Sequence, residues 1–315
     1  MKSDDNYMMS IVVPVYNRAS VAGRTLASLA AQTATAIEVI LVDNNSTDGT
    51  LALLTCWAEA TRRRGFGIVV AQCKRPGASA ARNVGLAMAR APMVMFFDSD
   101  DIMPPGHVAD ALEALNRHPD ADIIGWDYTS HNGNAVHTDR FFGTDMMWNN
   151  LFHGAMSSAR WCARTDLVRR AGGWNDNIGY WDDIELGARM LSLNPKVYYR
   201  GLSGVEVYNH PDSISGTYRA DPARIEPALR SIETVLGQTL WTDIKRAIEY
   251  ARSARAGNAG AAAMQRHLLS EVRPCRRMLL AAVYIYTRVG LRGAARVVKP
   301  LVRTICHPRT LSLPD

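Results

Sequence analysis

Through the first hundred residues, short apolar β-branched runs alternate with stretches whose apolar positions recur every three or four residues. Residues 11–15, 37–42, 67–71 and 93–97 read as strands, and 20–31, 48–64 and 79–90 as the helices between them. Repeated β-α-β units of this length predict an α/β fold, with a mostly parallel sheet, helices on both faces and right-handed crossovers. Further along, 106–116 reads as a helix and 122–126 as a strand, and His131-Asn132-Gly133-Asn134 carries a hairpin signal. The pattern is mixed over 141–173. A helix over 182–193 closes at Asn194-Pro195, a strand follows at 197–200, and 211–222 is polar and loop-like. Beyond about residue 223 the chain reads as wholly helical. The expected organisation is an α/β domain over 8–220, divided into halves 8–101 and 102–220, followed by a basic amphipathic helical extension over 221–315.

In such sheets ligands bind beyond the carboxyl ends of the strands. Three polar clusters fall at those ends: Pro14-Val15-Tyr16-Asn17, Asp43-Asn44-Asn45-Ser46 and Asp98-Ser99-Asp100-Asp101. Three carboxylates in four residues repel one another and are costly to desolvate, which points to a bound cation. Hard ions such as Mg²⁺ or Mn²⁺ take carboxylate oxygens together with substrate phosphates. The alternative is a solvated acidic turn capping the helix near Pro105. Pro14 can end a ladder, Tyr16 can stack on a flat base and Asn17 can hydrogen-bond to it; a buried edge strand with a helix cap would use the same residues. Asp43 is suited either to a ring N–H of a base or to an ordinary turn.

Length and composition add bounds. The 315 residues suffice for one large domain with an appendage, and 47% hydrophobic with 21% charged residues is ordinary for a globular protein. Five scattered cysteines without a CxxC pair argue against a zinc site or a disulfide framework, and for a reducing, cytoplasmic setting. The polar start, with Asp4 and Asp5, is unlike a signal peptide. The net charge of +6 is uneven: residues 241–315 hold fourteen Lys and Arg against four Asp and Glu.

Four segments together carry a resemblance. They are Ile11-Val12-Val13-Pro14-Val15-Tyr16-Asn17, the run from Glu38 to Thr50 containing Asp43-Asn44-Asn45-Ser46-Thr47-Asp48-Gly49, the run Pro76-Gly77-Ala78-Ser79-Ala80-Ala81-Arg82-Asn83, and Phe96-Phe97-Asp98-Ser99-Asp100-Asp101. In order and spacing the chain resembles the family 2 glycosyltransferases over roughly residues 8–215. The resemblance implies a GT-A fold, a Rossmann-like sheet with flanking helices, and inverting transfer from a nucleotide-diphosphate sugar dependent on Mg²⁺ or Mn²⁺. By it Asp43 meets the nucleobase, and Asp98 the ribose or its neighbourhood. Asp100 ligates the metal, and Arg82 and Asn83 line the donor side, where a helix N-terminus favours phosphate. Pro14, Tyr16, Asn17, Asn45 and Ser99 complete the implied donor site. His210 matches a histidine near the diphosphate and metal, joining Asp98 and Asp100 as a metal ligand. No GKS or GKT follows Gly77, so a P-loop NTPase is disfavoured.

The family's catalytic base comes from a Glu-Asp pair after a Gly-Gly-Phe-Asp-Glu segment. Here Gly172-Gly173-Trp174-Asn175-Asp176 precedes Asp182-Asp183, so Asp182 stands where Glu is usual and Trp174 where Phe is usual. On a helical wheel Asp183 shares a face with Leu186, Gly187 and Met190, whereas Asp182 aligns with Glu185 and Arg189, a standard ion pair. Asp183 is therefore expected to face the cleft as the base, its pKa raised by desolvation, with Asp182 beside it. Arg200 could contact phosphate or sit on the surface. Trp161 and Trp181 could form acceptor platforms, although buried packing is the usual role.

The basic tail alternates Arg273, Arg276, Arg277 and Arg288 with Leu279, Leu280, Val283 and Ile285, a pattern that continues through Arg292, Arg296, Lys299 and Arg303. Peripheral contact with an anionic membrane on its cytoplasmic face, or packing on the catalytic domain, would each use it. No nucleic-acid-binding module accompanies the charge. The expected reaction is transfer, from a UDP-linked or else GDP- or dTDP-linked donor, to a glycan or lipid-linked acceptor in polysaccharide synthesis. Sugar-phosphate nucleotidyl transfer and a non-catalytic nucleotide-sugar binding module are the alternatives.

Overall fold

A computed structural model describes residues 6–61, 63, 65–141, 145–209, 222–237, 239–258 and 260–289. The chain separates into two compact units, Met1–Thr217 and Tyr218–Asp315.

The first unit is built on one eight-stranded sheet. In chain order its elements are β1 (Met9–Val15), α1 (Gly23–Ala30), β2 (Ile37–Asp43), α2 (Thr50–Ala60), β3 (Phe66–Gln72), α3 (Ala78–Met88), β4 (Met93–Phe96) and α4 (His107–Arg117). There follow β5 (Ile123–Asn132), β6 (Ala135–Asp139), α5 (Met146–His153), a 3₁₀ turn (Ser158–Arg160), β7 (Trp161–Arg164), α6 (Thr165–Arg170), α7 (Asp182–Leu191) and β8 (Val197–Asn209). The sheet runs β3-β2-β1-β4-β7-β5-β6, with β8 on the other side of β5. The strands from β3 to β4 are parallel, as the β-α-β rhythm predicts. The sheet then reverses, because β7 is antiparallel to both β4 and β5. The strand expected at 197–200 in fact extends to Asn209 and pairs with β5 through two register shifts.

All seven residues of β1 and of β2 are buried, because both faces of the sheet are covered. Side-chain alternation divides the core. Ile11, Val13, Val39 and Leu41 pack with Leu26, Leu54 and Val108. Val12, Ile40 and Phe96 pack with Leu86, Trp161 and Leu186 on the other face. A Cβ on Gly85 would stand 2.3 Å from Val12 Cγ1, so glycine lets α3 lie close on β1. Pro14 sits within the parallel register opposite Val42. Val12 O accepts from Phe97 N, so the missing Pro14 donor faces the side where β4 has already ended. The ladder loses nothing there, and the sheet opens into a crevice.

The second unit contains helices Pro222–Leu236, Leu240–Arg255, Gly260–Glu271 and Pro274–Arg288. Buried Arg246 bridges Glu226 and Glu233, and Arg276 pairs at 3.2 Å with the buried Asp243. No described helix is long and apolar enough to cross a membrane. Arg292, Arg296, Lys299 and Arg303 lie outside the described residues.

His107, in α4, is buried edge-on to Trp126 at 4.5 Å, and neither ring nitrogen has a hydrogen-bond partner. Burial, helped by nearby Arg200, lowers its pKa from 6.5 to about 3. The unfolded chain therefore binds the extra proton first, and this contribution to stability is lost as pH falls from 6.5 toward 3. His107→Phe is expected to flatten the fall in urea midpoint over that range. A slope equal to that of the wild type would show that the imidazole does not titrate on unfolding.

Candidate active site

Loops from four strand ends and the N-terminus of α7 meet at the mouth of the crevice. Asn17, with φ 48°, turns the chain out of β1. Its N–H donates to Ser46 Oγ at 2.9 Å and its side-chain oxygen accepts from Thr47 N at 2.8 Å. Arg18 N donates to Thr50 Oγ1 and Ala19 N to Asp48 Oδ2, so the loop after β1 is fastened to the start of α2. Tyr16 is left 58% exposed at the rim.

Asp43, at the end of β2, is buried. Its Oδ2 accepts from Ser46 N at 3.3 Å, while its Oδ1 has no partner. An unpaired buried carboxylate oxygen costs free energy unless a ligand donor supplies the bond. Next to it Asn44, which the sequence reading left among the turn residues, is a clip. Its amide donates to Cys73 O and Arg75 O, and its carbonyl accepts from Gly77 N. Asn45 is an exposed left-handed turn residue, φ 59°.

Arg82 occupies the centre. Its side chain is 9% exposed and donates to Asp98 Oδ1 at 2.7 Å and to Asp182 Oδ2 at 3.0 Å. Its guanidinium carbon stands 4.4 Å from the centroid of the Trp174 ring. Burial alone would lower its pKa, but the two carboxylates raise it and keep the group charged. Asn83, beside it, exchanges two 2.8 Å bonds with the Trp174 backbone, its oxygen accepting from N–H and its amide donating to O. Asp98 Oδ2 also accepts from Ser158 Oγ at 3.2 Å. Ser99 is buried in the turn. Asp100 Oδ2 accepts from Arg18 Nη2 at 3.0 Å, the two side chains being 16% and 29% exposed. Burial, reinforced by Asp98 and Asp100, pushes the Asp101 carboxyl well above its ordinary range, although Tyr208 N donates to it.

The helix-wheel reading of α7 needs correction. Glu185 pairs with Arg189 as expected, but Glu185 is buried, so this is not the outer face. Asp182 is not turned away either, since Ser79 Oγ donates to its Oδ2 at 2.5 Å beside Arg82. Asp183 lies next to it, with Oδ1 accepting from Ile184 N at 2.7 Å. Desolvation first, and then the Asp182 charge, raise the Asp183 carboxyl from 3.8 to about 7. Trp181, the residue before α7, has φ 62° and stacks on Tyr180 at 5.7 Å. Trp161 is no platform: it is 1% exposed, packs edge-on to Phe96 and donates to Met156 O. Arg200 pairs with Asp110 at 2.7 Å. His210 lies outside the described residues. Ser79, Ser158, Asn44 and Arg18 are the site residues that sequence reasoning missed; each is a polar residue beside a strand end or helix start.

Residues 10–167 match the family model described as Glycosyl transferase family 2. The chain belongs to that family. Among curated relatives, this glycosyltransferase is 28% identical over 160 residues to the uncharacterized glycosyltransferase YibD of Escherichia coli, covering 49% of this chain and 45% of that one. It is 26% identical over 262 residues to the succinoglycan biosynthesis protein ExoU of Rhizobium meliloti, covering 76% and 72%. The match spans less than two thirds of the first curated relatives, 45% of the Escherichia coli protein and 61% of one from Rickettsia typhi. Among solved structures, S. aureus TarS 1-349 in complex with UDP-GlcNAc aligns with TM-score 0.59 and 18% identity over 96% of this chain and 93% of that one. A mannosyltransferase from Pyrobaculum calidifontis in complex with GDP-Man and Mn2+ aligns with TM-score 0.51 and 20% identity over 92% and 90%. At such identities the likeness establishes the fold, which is GT-A.

Arg82 is the cation that lets Asp98 and Asp182 lie close together in this glycosyltransferase. Arg82→Met is expected to destabilise the fold by about 3 kcal/mol, the low end for breaking a buried ion pair, because both carboxylates keep some access to water. Urea denaturation measures the loss. Arg82→Lys should recover less than half of it, since one ammonium cannot reproduce two directed bonds.

Proposed function

We propose that this enzyme transfers a glycosyl group from a nucleotide-diphosphate sugar, UDP-linked in the first instance, to a hydroxyl of a glycan or lipid-linked acceptor. The transfer inverts the anomeric carbon and serves polysaccharide or cell-envelope glycan synthesis. One observation carries this reading. Arg82 ties the acidic turn after β4 to the acids of α7, so the donor-side and base-side carboxylates share one mouth. The orphaned Asp43 Oδ1 supports a base N–H as its missing partner, with exposed Tyr16 at the rim to stack on the ring. The relatives, one a succinoglycan biosynthesis protein and others solved in complex with UDP-GlcNAc or GDP-Man, support the donor class and the pathway.

The acidic turn fits Mg²⁺ or Mn²⁺. Its donors are hard carboxylate oxygens, and Asp100 Oδ2 already holds a cationic group, the Arg18 guanidinium. Ions of this kind take one or two carboxylates together with substrate phosphates, and among the described residues no cluster of three or more His, Cys, Asp or Glu placed to hold one is present. Asp98 is held by Arg82 and Ser158 and Asp100 by Arg18; Asp100 is the principal protein ligand that the family resemblance implies, with Asp98 beside it. When bound there, the ion neutralises charge developing on the leaving diphosphate. Arg82 and Ser79 hold Asp182, which makes Asp182 a positioning residue. Asp183 accepts the proton of the acceptor hydroxyl as its oxygen bonds to the anomeric carbon, while the carbon–phosphate oxygen bond breaks and the nucleoside diphosphate departs.

The helical unit offers a surface for a membrane-borne acceptor. Met278, Ile285 and Val289 are 81%, 61% and 68% exposed at helical spacing on and just after Pro274–Arg288, flanked by exposed Arg277 and Arg288. From Val272 to Pro314 the chain has nine Lys and Arg and no acidic residue. Apolar side chains bordered by cations complement an anionic bilayer surface.

Asp183→Asn is expected to lower kcat by about 10²- to 10⁴-fold, the usual worth of a general base, with unchanged circular dichroism. Wild-type kcat/KM should fall as pH drops below about 7, where the Asp183 carboxyl takes up its proton. Full activity in the variant assigns the proton to another group. For the membrane surface, the protein should sediment with phosphatidylglycerol vesicles and not with phosphatidylcholine ones. Met278→Glu with Ile285→Glu should abolish sedimentation while helicity is retained. Recovery of the wild type in the supernatant with both vesicles would remove the membrane from the account.

A further inference from the structure

The loop after β1 brings a side chain to the acidic turn that no step above requires. Arg18 reaches across 82 residues of sequence to Asp100, Nη2 to Oδ2 at 3.0 Å. Its backbone cannot drift, because Asn17, Arg18 and Ala19 are bonded through their N–H groups to Ser46, Thr50 and Asp48. The acidic turn is equally fixed, with Thr25 Oγ1 donating to Asp101 O at 2.8 Å. Between two anchored backbones the contact is made by side chains alone, so the Arg18 guanidinium can exchange one partner for another without moving either loop. It is 29% exposed, follows exposed Tyr16 by two residues in the same loop, and bonds the carboxylate assigned to the metal.

We propose that Arg18 is a latch coupling cation binding to donor binding. It rests on the metal reading of Asp100 given above. Without donor, the guanidinium neutralises Asp100 and competes with a divalent ion for the same oxygen. When a nucleoside diphosphate enters, its phosphate oxygens offer Arg18 another anionic partner, and Asp100 is released to the ion. Metal and diphosphate therefore bind cooperatively, and each raises the affinity for the other by the same factor. Arg18 is a positioning residue: it determines when the metal ligand is available and takes no part in proton or glycosyl transfer.

The test measures Mn²⁺ affinity directly, by electron paramagnetic resonance of the free ion, on wild type, Arg18→Ala and Arg18→Lys, each with and without UDP and, separately, GDP. Wild type should bind Mn²⁺ weakly alone and more tightly with the matching nucleotide. Arg18→Ala should bind Mn²⁺ alone about three- to tenfold more tightly, the span for losing one competing, partly buried ion pair, with a correspondingly smaller gain from nucleotide. Arg18→Lys, which keeps the charge, should restore most of the coupling. A purely structural role for Arg18 would weaken Mn²⁺ binding in the alanine variant, and that result overturns the latch. Equal Mn²⁺ affinity and equal nucleotide gain in wild type and Arg18→Ala also overturn it, while leaving Asp100 as the metal ligand. Absence of Mn²⁺ binding in every protein, nucleotide present or not, removes the metal reading itself and the latch with it.

Discussion

A buried guanidinium with a carboxylate on either side is the constraint on which the rest of this structure depends. Asp98 follows β4, and Asp182 opens a helix that begins more than eighty residues later. Brought together alone, the two would repel in a poorly solvated setting. Arg82, delivered between them by the second turn of α3, turns that repulsion into two directed ionic hydrogen bonds. The Trp174 ring supplies a face for the same cation, so the loop leading to α7 is held by the group that holds its first acid. Residues before and after the acidic turn are therefore joined by ion pairs at the crevice as well as by the sheet beneath it.

That arrangement sorts two neighbouring acids into different roles. Asp182 is saturated by Arg82 and Ser79 and serves as a fixed negative charge. Asp183 lacks a counter-ion of that quality and feels both desolvation and its neighbour, so its proton affinity rises toward neutrality. Divergent environments for adjacent carboxylates are the physical basis of the base role proposed above for Asp183.

Much of the donor half was legible in the chain, and the reasons are physical. Strands β1 to β4 are continuous apolar runs because both faces of the sheet are covered, and the helices between them keep a clean period. The contacts of Asp182 are not legible on a helical wheel, because a wheel describes the middle of a helix. Side chains of a first turn tilt toward the N-terminus and reach past the helix end, here into Ser79 and Arg82. The length of β8 was hidden by Gly201 and Gly204, at φ 97° and 73°, which interrupt the alternation where pairing with β5 shifts register. The clip made by Asn44 left no mark beyond its position, since its three partners are backbone groups that any sequence possesses.

The reversal of the sheet at β7 has a consequence for how this scaffold diversifies. A parallel strand presents its following loop to the crevice, but an antiparallel one presents the residues before it, and it is Ser158, just ahead of β7, that touches Asp98. Changes between α5 and β7 therefore act on one wall of the crevice, while the opposite wall is built from the ends of β1, β2 and β4. Because Ala155, Met156, Ala159 and Arg160 around Ser158 are buried, that first wall is set by core packing as well as by the polar contact.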